Sequence, residues 1–171
     1  MRAVLAGLTV VFVSSSGVFA QPAAPAPPAG GSRTMVSAAD VAALIAKAKV
    51  DRKENQALLA QSMIRLAPYN VSLEYRAAVA NAAVHETEAE LFYVIDGSAT
   101  LVTGGQLVSP TRNGDNLTGT AIQGGTSHRK SKGDFMLIPQ GVPHWITNVQ
   151  GSFTPMTLHL PMSAQEAKSG G

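Results

Sequence analysis

The stretch "GDFMLIPQGVPHWITN", residues 133–148, decides how this chain is read. Gly133, Pro139, Gly141, His144 and Asn148 stand at offsets 0, 6, 8, 11 and 15 within it. The apolar run Phe135 to Ile138 ends at Pro139-Gln140-Gly141, a sequence that closes a strand in a tight turn. Pro143 and His144 then start the next strand at the edge of a barrel. A histidine at a strand start beside a turn can point into the barrel mouth.

Working outward, "AAVHETEAELFYVIDG" at residues 82–97 reads as an apolar strand with polar residues at its entrance. His85 opens it, Glu90 follows, and Asp96-Gly97 closes it with a turn signal. The longer run "ELFYVIDGSATLVTGG" is therefore expected to be a hairpin turning at Asp96-Gly97. Upstream, "YNVSLEYR" alternates with strand period: Tyr69, Val71, Leu73 and Tyr75 on one face, Asn70, Ser72, Glu74 and Arg76 on the other. Pro68 separates two strands. Further strands are expected at about 119–122, 134–139, 143–149 and 153–160, with Gly and Pro between them. Many short strands with turn signals between them indicate an all-β sandwich or small barrel. One helix precedes them, expected over 38–49, with Ser37 as its cap, Asp40 completing a capping box, and Val41, Leu44, Ile45 and Ala48 at helical spacing. The Gly-rich segment 104–134 carries a strand around "GTAIQ" and is either a decorated connection or a lid over the barrel mouth.

Composition narrows the function. The chain has 171 residues, 14% charged and 45% hydrophobic, with net charge +2 and no cysteine. The densest basic cluster, "HRKSK" at 128–132, reads as a solvated loop with His128 exposed, so no nucleic-acid partner is expected. Without cysteine there are no disulfides, thiolate metal sites or cysteine nucleophiles, and any metal would be held by His, Asp or Glu. "MRAVLAGLTVVFVSSSGVFA", residues 1–20, has the three-part layout of a secretory signal, with cleavage expected after Ala20. Its apolar run is short of the ~20 residues a spanning helix needs, a retained anchor being the competing reading. Residues 21–35 read as a Pro/Ala-rich linker, 36–163 as the folded domain and 164–171 as a polar tail. The expected location is secreted or periplasmic, with no stable membrane insertion after cleavage.

The 133–148 stretch is similar to the second motif of the cupins, G(X)5PXG(X)2H(X)3N, at every named position. The 82–97 stretch resembles the first cupin motif, HXH(X)3–4E(X)6G, through His85, Glu90 and Gly97. The first His of that motif falls on Ala83. The resemblance covers roughly residues 66–161 and implies a jelly-roll β-barrel, in agreement with the strand reading. It also implies a divalent metal, Fe, Mn, Zn or Ni, held by His85, Glu90 and His144, and a possible homodimer. Two imidazoles and one carboxylate suit catalytic zinc or non-haem iron with open positions.

His159 shares a strand face with Thr157 and is either a fourth ligand or base, or a strand histidine bonded to backbone or solvent; the second, simpler reading is preferred. Glu86 and Glu88 read as a solvated strand entrance. Arg76 is either an anchor for a small anion or the partner of Glu74. Phe92, Tyr93 and Trp145 read as packing residues. No phosphate-cradling loop, dinucleotide fingerprint or nucleophile elbow is present. The expected function is a metal-dependent cupin enzyme, oxygenase-like or otherwise, acting on a small polar molecule. The alternative is a small-ligand-binding module, and a third reading is a structural domain with a vestigial site.

Overall fold

The structure, a computed structural model, describes residues 33–162. The expected leader 1–20, the tail 164–171 and all but the last three residues of the 21–35 linker lie outside the described residues. Helix α1 (Ala38–Asp51) runs two residues past its expected end. Its capping box is formed: the Asp40 N–H donates to Ser37 Oγ at 3.1 Å, and the Ser37 N–H donates to Asp40 Oδ2 at 3.0 Å. No helix among the described residues is long and apolar enough to cross a membrane.

The rest is an all-β jelly roll: nine strands joined by hydrogen bonds in one continuous ladder fold over into the two sheets of a sandwich, and two long strands run through both. Strand β1 (Leu58–Leu66) pairs with β2 (Tyr69–Arg76). β2 pairs with residues 153–159 of the final strand, β11 (His144–Pro161). That half of β11 pairs with the first half of β4 (Glu88–Thr103), whose other edge takes β10 (Phe135–Ile138). The second sheet reuses the other halves. The end of β4 lies between β9 (Thr126–Ser131) and the start of β11. The start of β11 in turn meets β3 (Ala82–His85), which pairs with β7 (Asn116–Gly119), and β7 with β6 (Thr111–Asn113). β5 (Gln106–Val108) and β8 (Ala121–Gln123) form a separate two-stranded ribbon.

Phe92, Val94 and Phe153 from the first sheet meet Ala99, Leu101 and Ile146 from the second, with Ile138, in one buried cluster. Facing partners of an antiparallel ladder share a side. Ser72, Thr157 and Phe92 are aligned across β2, β11 and β4, so the polar side of "YNVSLEYR" looks into the sandwich. Its apolar side looks out toward α1, where Val71, Met63 and Met156 line an apolar cavity with Val41 and Ile45. Hydrophobic alternation thus marks a face covered by a helix, not the barrel interior.

The structure corrects several sequence expectations. Asp96-Gly97 is not a hairpin turn. β4 continues through it, and Gly97, at φ +81°, is a bend opposite Phe153 where the strand leaves one sheet for the other. The Asp-Gly signal reports a need for positive φ, which a bend and a turn share. The two strands expected at 143–149 and 153–160 are one strand, bent at Asn148 (φ +48°) and Gly151 (φ +66°) with register shifts around Gln150. Segment 104–134 is more decorated than expected: besides strand around "GTAIQ", in β7 and β8, it holds β5, β6 and β9. The "HRKSK" cluster is no loop: His128 to Ser131 lie in β9, paired to β4, and His128 is half-buried.

Candidate metal centre

The bends in β4 and β11 set the site. Glu90 lies in the first sheet, near the start of β4; His144 opens β11 in the second sheet, and His85 ends β3 beside it. Folding the β4–β11 ladder over on itself brings these residues together between the sheets. Glu90 Oε2 is 3.0 Å from His144 Nε2 and 3.2 Å from His85 Nε2. The turn of the 133–148 stretch braces the arrangement. The Gly141 N–H donates to the His85 carbonyl at 2.8 Å, and the Gln140 side-chain amide donates to the Glu86 carbonyl.

The outer nitrogens of both rings are occupied. His85 Nδ1 lies 2.7 Å from Asn116 Oδ1, and His144 Nδ1 lies 3.3 Å from the Val142 carbonyl oxygen. Both acceptors are carbonyl oxygens, so each Nδ1 carries the proton and each Nε2 presents a lone pair inward. Glu90 Oε2 is buried and, although two ring nitrogens approach it, has no aligned hydrogen bond among the described residues. Two ring nitrogens and a buried carboxylate oxygen aimed at one another without an aligned hydrogen bond form an arrangement a cation resolves. The separations agree. Donors about 2.1 Å from one ion stand about 3.0 Å apart at right angles and about 3.4 Å apart at the tetrahedral angle.

Electrostatics lead to the same place. Burial works against a charged His85 ring, but the Glu90 carboxylate outweighs it, with help from Asn116 and Glu88, and the net shift is upward. Burial likewise opposes ionised Glu90, yet His144 and His85 override it and hold the carboxyl well below the usual carboxylate range. The site favours an anion faced by positive charge, which a proton or a metal ion can provide.

Two residues differ from their expected roles. His159 is not simply a strand histidine serving backbone or solvent. It faces Glu90 across the β4–β11 ladder, with Nε2 3.5 Å from Glu90 Oε1 and Nδ1 3.1 Å from Glu88 Oε1. Glu88 is accordingly not a freely solvated carboxylate, while Glu86 has the more open side chain and is gripped by Arg112. Arg76 is taken by Glu74, at 2.8 and 2.7 Å, which leaves the ion-pair reading in place of the anion anchor. Trp145 donates its indole N–H to the Ala80 carbonyl and Phe92 packs edge-on to His144, both as packing residues.

Asn116 carries no sequence signal for its role. It lies 31 residues from His85 and meets it only through the β3–β7 register. Asn116→Ala frees the His85 Nδ1 proton and the ring's orientation, so metal affinity should fall about 10–100-fold, as for other outer partners of metal-bound imidazoles. Competition against a chelating dye measures it, and an unchanged affinity would remove Asn116 from the site.

Comparison with known proteins follows this geometry. The family model described as Cupin matches residues 48–157. No curated protein matches the chain. Among solved structures, the chain resembles the Cnp3 cupin domain of Schizosaccharomyces pombe, at 15% identity, covering 67% of each chain with a TM-score of 0.49. A cupin superfamily protein from Desulfitobacterium hafniense is 16% identical over 66% of this chain and 84% of that one, TM-score 0.46. KdgF from Halomonas sp. is 13% identical over 67% and 88%, TM-score 0.47. These likenesses concern the fold alone. With the family model matched over 48–157, a span that holds all of β4 and most of β11, the chain belongs to the cupin family.

Proposed function

We propose that this protein is a divalent-metal-dependent cupin enzyme that acts on a small polar molecule outside the cytoplasm. The observation that carries the reading is the pair of inward Nε2 atoms, on rings held at Nδ1, converging on a buried carboxylate oxygen without an aligned hydrogen bond. His85, Glu90 and His144 would hold the ion; Fe, Mn, Zn and Ni all accept such ligands. When bound, the ion supplies a Lewis acid able to polarise a substrate oxygen or activate water or O₂.

The chain's own residues set the conditions. Asn116 and the Val142 carbonyl hold the two imidazoles in the tautomer that leaves Nε2 free. Glu90 contributes the negative charge, and Phe92 closes the inner wall against His144. Side-chain exposure is 4% for Glu90 and 7% for His144 but 16% for His85, 20% for His159 and 26% for Glu88. Substrate therefore approaches from the His85–His159–Glu88 side. The location outside the cytoplasm rests on the 1–20 leader.

The test is elemental analysis of protein exported to its own compartment and purified without chelator, then turnover assays with and without Fe(II). Near-stoichiometric metal with metal-dependent turnover is expected. Absence of metal after loading with Fe, Mn, Zn and Ni would overturn the reading. Ala83, directly opposite His144 where the family motif has a histidine, favours a second reading, a barrel that captures a small ligand without converting it. A ligand that raises the melting temperature and is recovered unchanged would decide for that reading.

A further inference from the structure

The geometry points to His159 as a fourth protein ligand of the same ion, taking the place that Ala83 leaves, with Glu88 as the residue that orients it. This rests on the metal reading above and adds a ligand from a position outside both cupin motifs.

Four observations carry it. First, the β4–β11 register sets His159 directly across from Glu90, so the two side chains leave the ladder on the same face. Second, His159 Nε2 reaches Glu90 Oε1 at 3.5 Å, while His85 and His144 address Oε2, so three imidazoles surround one carboxylate. Third, the His85 and His159 rings stand edge to face with centroids 4.8 Å apart, and the His85 and His144 rings are 5.2 Å apart. Fourth, His159 Nδ1 is buried without an aligned hydrogen bond, and the acceptor beside it is Glu88 Oε1 at 3.1 Å. Glu88 is the carboxylate that would orient this ring with Nε2 toward Glu90, a part that Asn116 plays for His85 through a formed hydrogen bond.

Ala83 explains why the site needs this residue. It lies two positions before His85 on β3, on the same face, and opposite His144. A methyl group there donates nothing. His159 restores a set of three histidines and one glutamate from the far end of β11. As the side chains stand, the ligand atoms within 4.8 Å of one another fall into two groups, His85–Glu90–His144 and His85–Glu88–His159, joined at His85, so His159 must turn its ring toward Glu90 to complete the set. Two ions would have to share that one imidazole, which the single inward Nε2 of His85 does not allow.

Cobalt(II) titration of the chelator-treated full chain, followed by visible absorption and competition with a chelating dye, tests the inference. The parent should bind one Co(II) per chain. His159→Ala should weaken binding at least about 100-fold and change the visible spectrum, Glu88→Gln should weaken it about 10–100-fold, and Ala83→His placed in His159→Ala should recover most of the loss. His159→Gln replaces His159→Ala if circular dichroism shows the alanine variant unfolded. Affinity and spectrum unchanged in the His159 variant would overturn this inference while leaving the triad intact. Two Co(II) per chain, one lost with His159, would overturn it too. A parent that binds no Co(II) would instead sink the metal reading itself.

Discussion

Glu90→Gln should yield a folded protein that no longer retains metal. Glutamine keeps the shape of the side chain and removes its charge, and the position is only 3% exposed, so the change is electrostatic and not steric. Structural zinc sites with four ligands gain about 10–16 kcal/mol from the ion, about 2.5–4 kcal/mol per ligand, so affinity should fall by about 10²–10³-fold. The same variant separates two pH effects of opposite sign. In chelator, the raised pKa of His85 gives the parent stability that is present below about pH 6.5 and fades as pH rises through the folded-state value. Glu90→Gln should lose that low-pH advantage, because its carboxylate is what overrides burial at His85. Metal retention runs the other way in the parent, weakening as pH falls and the imidazoles take up protons. Melting temperatures at pH 6 and pH 8, with and without chelator, measure both. If the parent and the variant respond identically to chelator at pH 8, Glu90 is not a ligand.

Gly97→Ala should be among the most damaging single changes in the chain. The residue sits at φ +81°, and an added Cβ would lie 2.0 Å from the Ser152 carbonyl oxygen and 2.9 Å from its carbon. Both are backbone atoms of the partner strand, so no side chain can swing aside. The left-handed conformation costs a non-glycine residue about 1–2 kcal/mol, and forced displacement of a packed neighbour about 1–3 kcal/mol more. Together that is about 2–5 kcal/mol, a large share of the ~5–15 kcal/mol that holds a domain folded. Gly141→Ala is the control. Its φ is +72° but nothing lies within 4 Å of the added Cβ, so only the conformational cost of about 1–2 kcal/mol applies. Urea midpoints compare the two. Equal losses would mean the close approach to Ser152 relaxes freely and the bend in β4 is not tightly held.

The fold class was legible because its signals are local: strand periodicity, proline and glycine punctuation, and the spacing of His85, Glu90, Gly97, Gly133, Pro139, Gly141, His144 and Asn148. The bend at Gly97 was misread because an Asp-Gly pair states a backbone conformation and not what the chain does afterwards. The five strands of 104–134 were mostly missed because several are three or four residues long and largely polar, too short for alternation to register. Asn116 and His159 escaped for a different reason. Each reaches the site through a ladder between strands distant in sequence, and register across such pairs is set by packing of the whole sandwich. The sequence places His159 on a strand face with Thr157, but only its position opposite Glu90 shows where it points.

The sharing of β4 and β11 between two sheets has a mechanical meaning. An ion between Glu90 and His144 ties residues 54 apart in sequence, and one between His85 and His144 ties residues 59 apart. The first tie joins opposite sheets of the sandwich; the second holds neighbouring strands of one sheet. Such a clasp acts as a reversible cross-link, removing from the unfolded chain the freedom that long loops otherwise enjoy. Prying the sheets apart would require the ion to leave first, so in a compartment with proteases the loaded chain would outlast the stripped one by its slower opening.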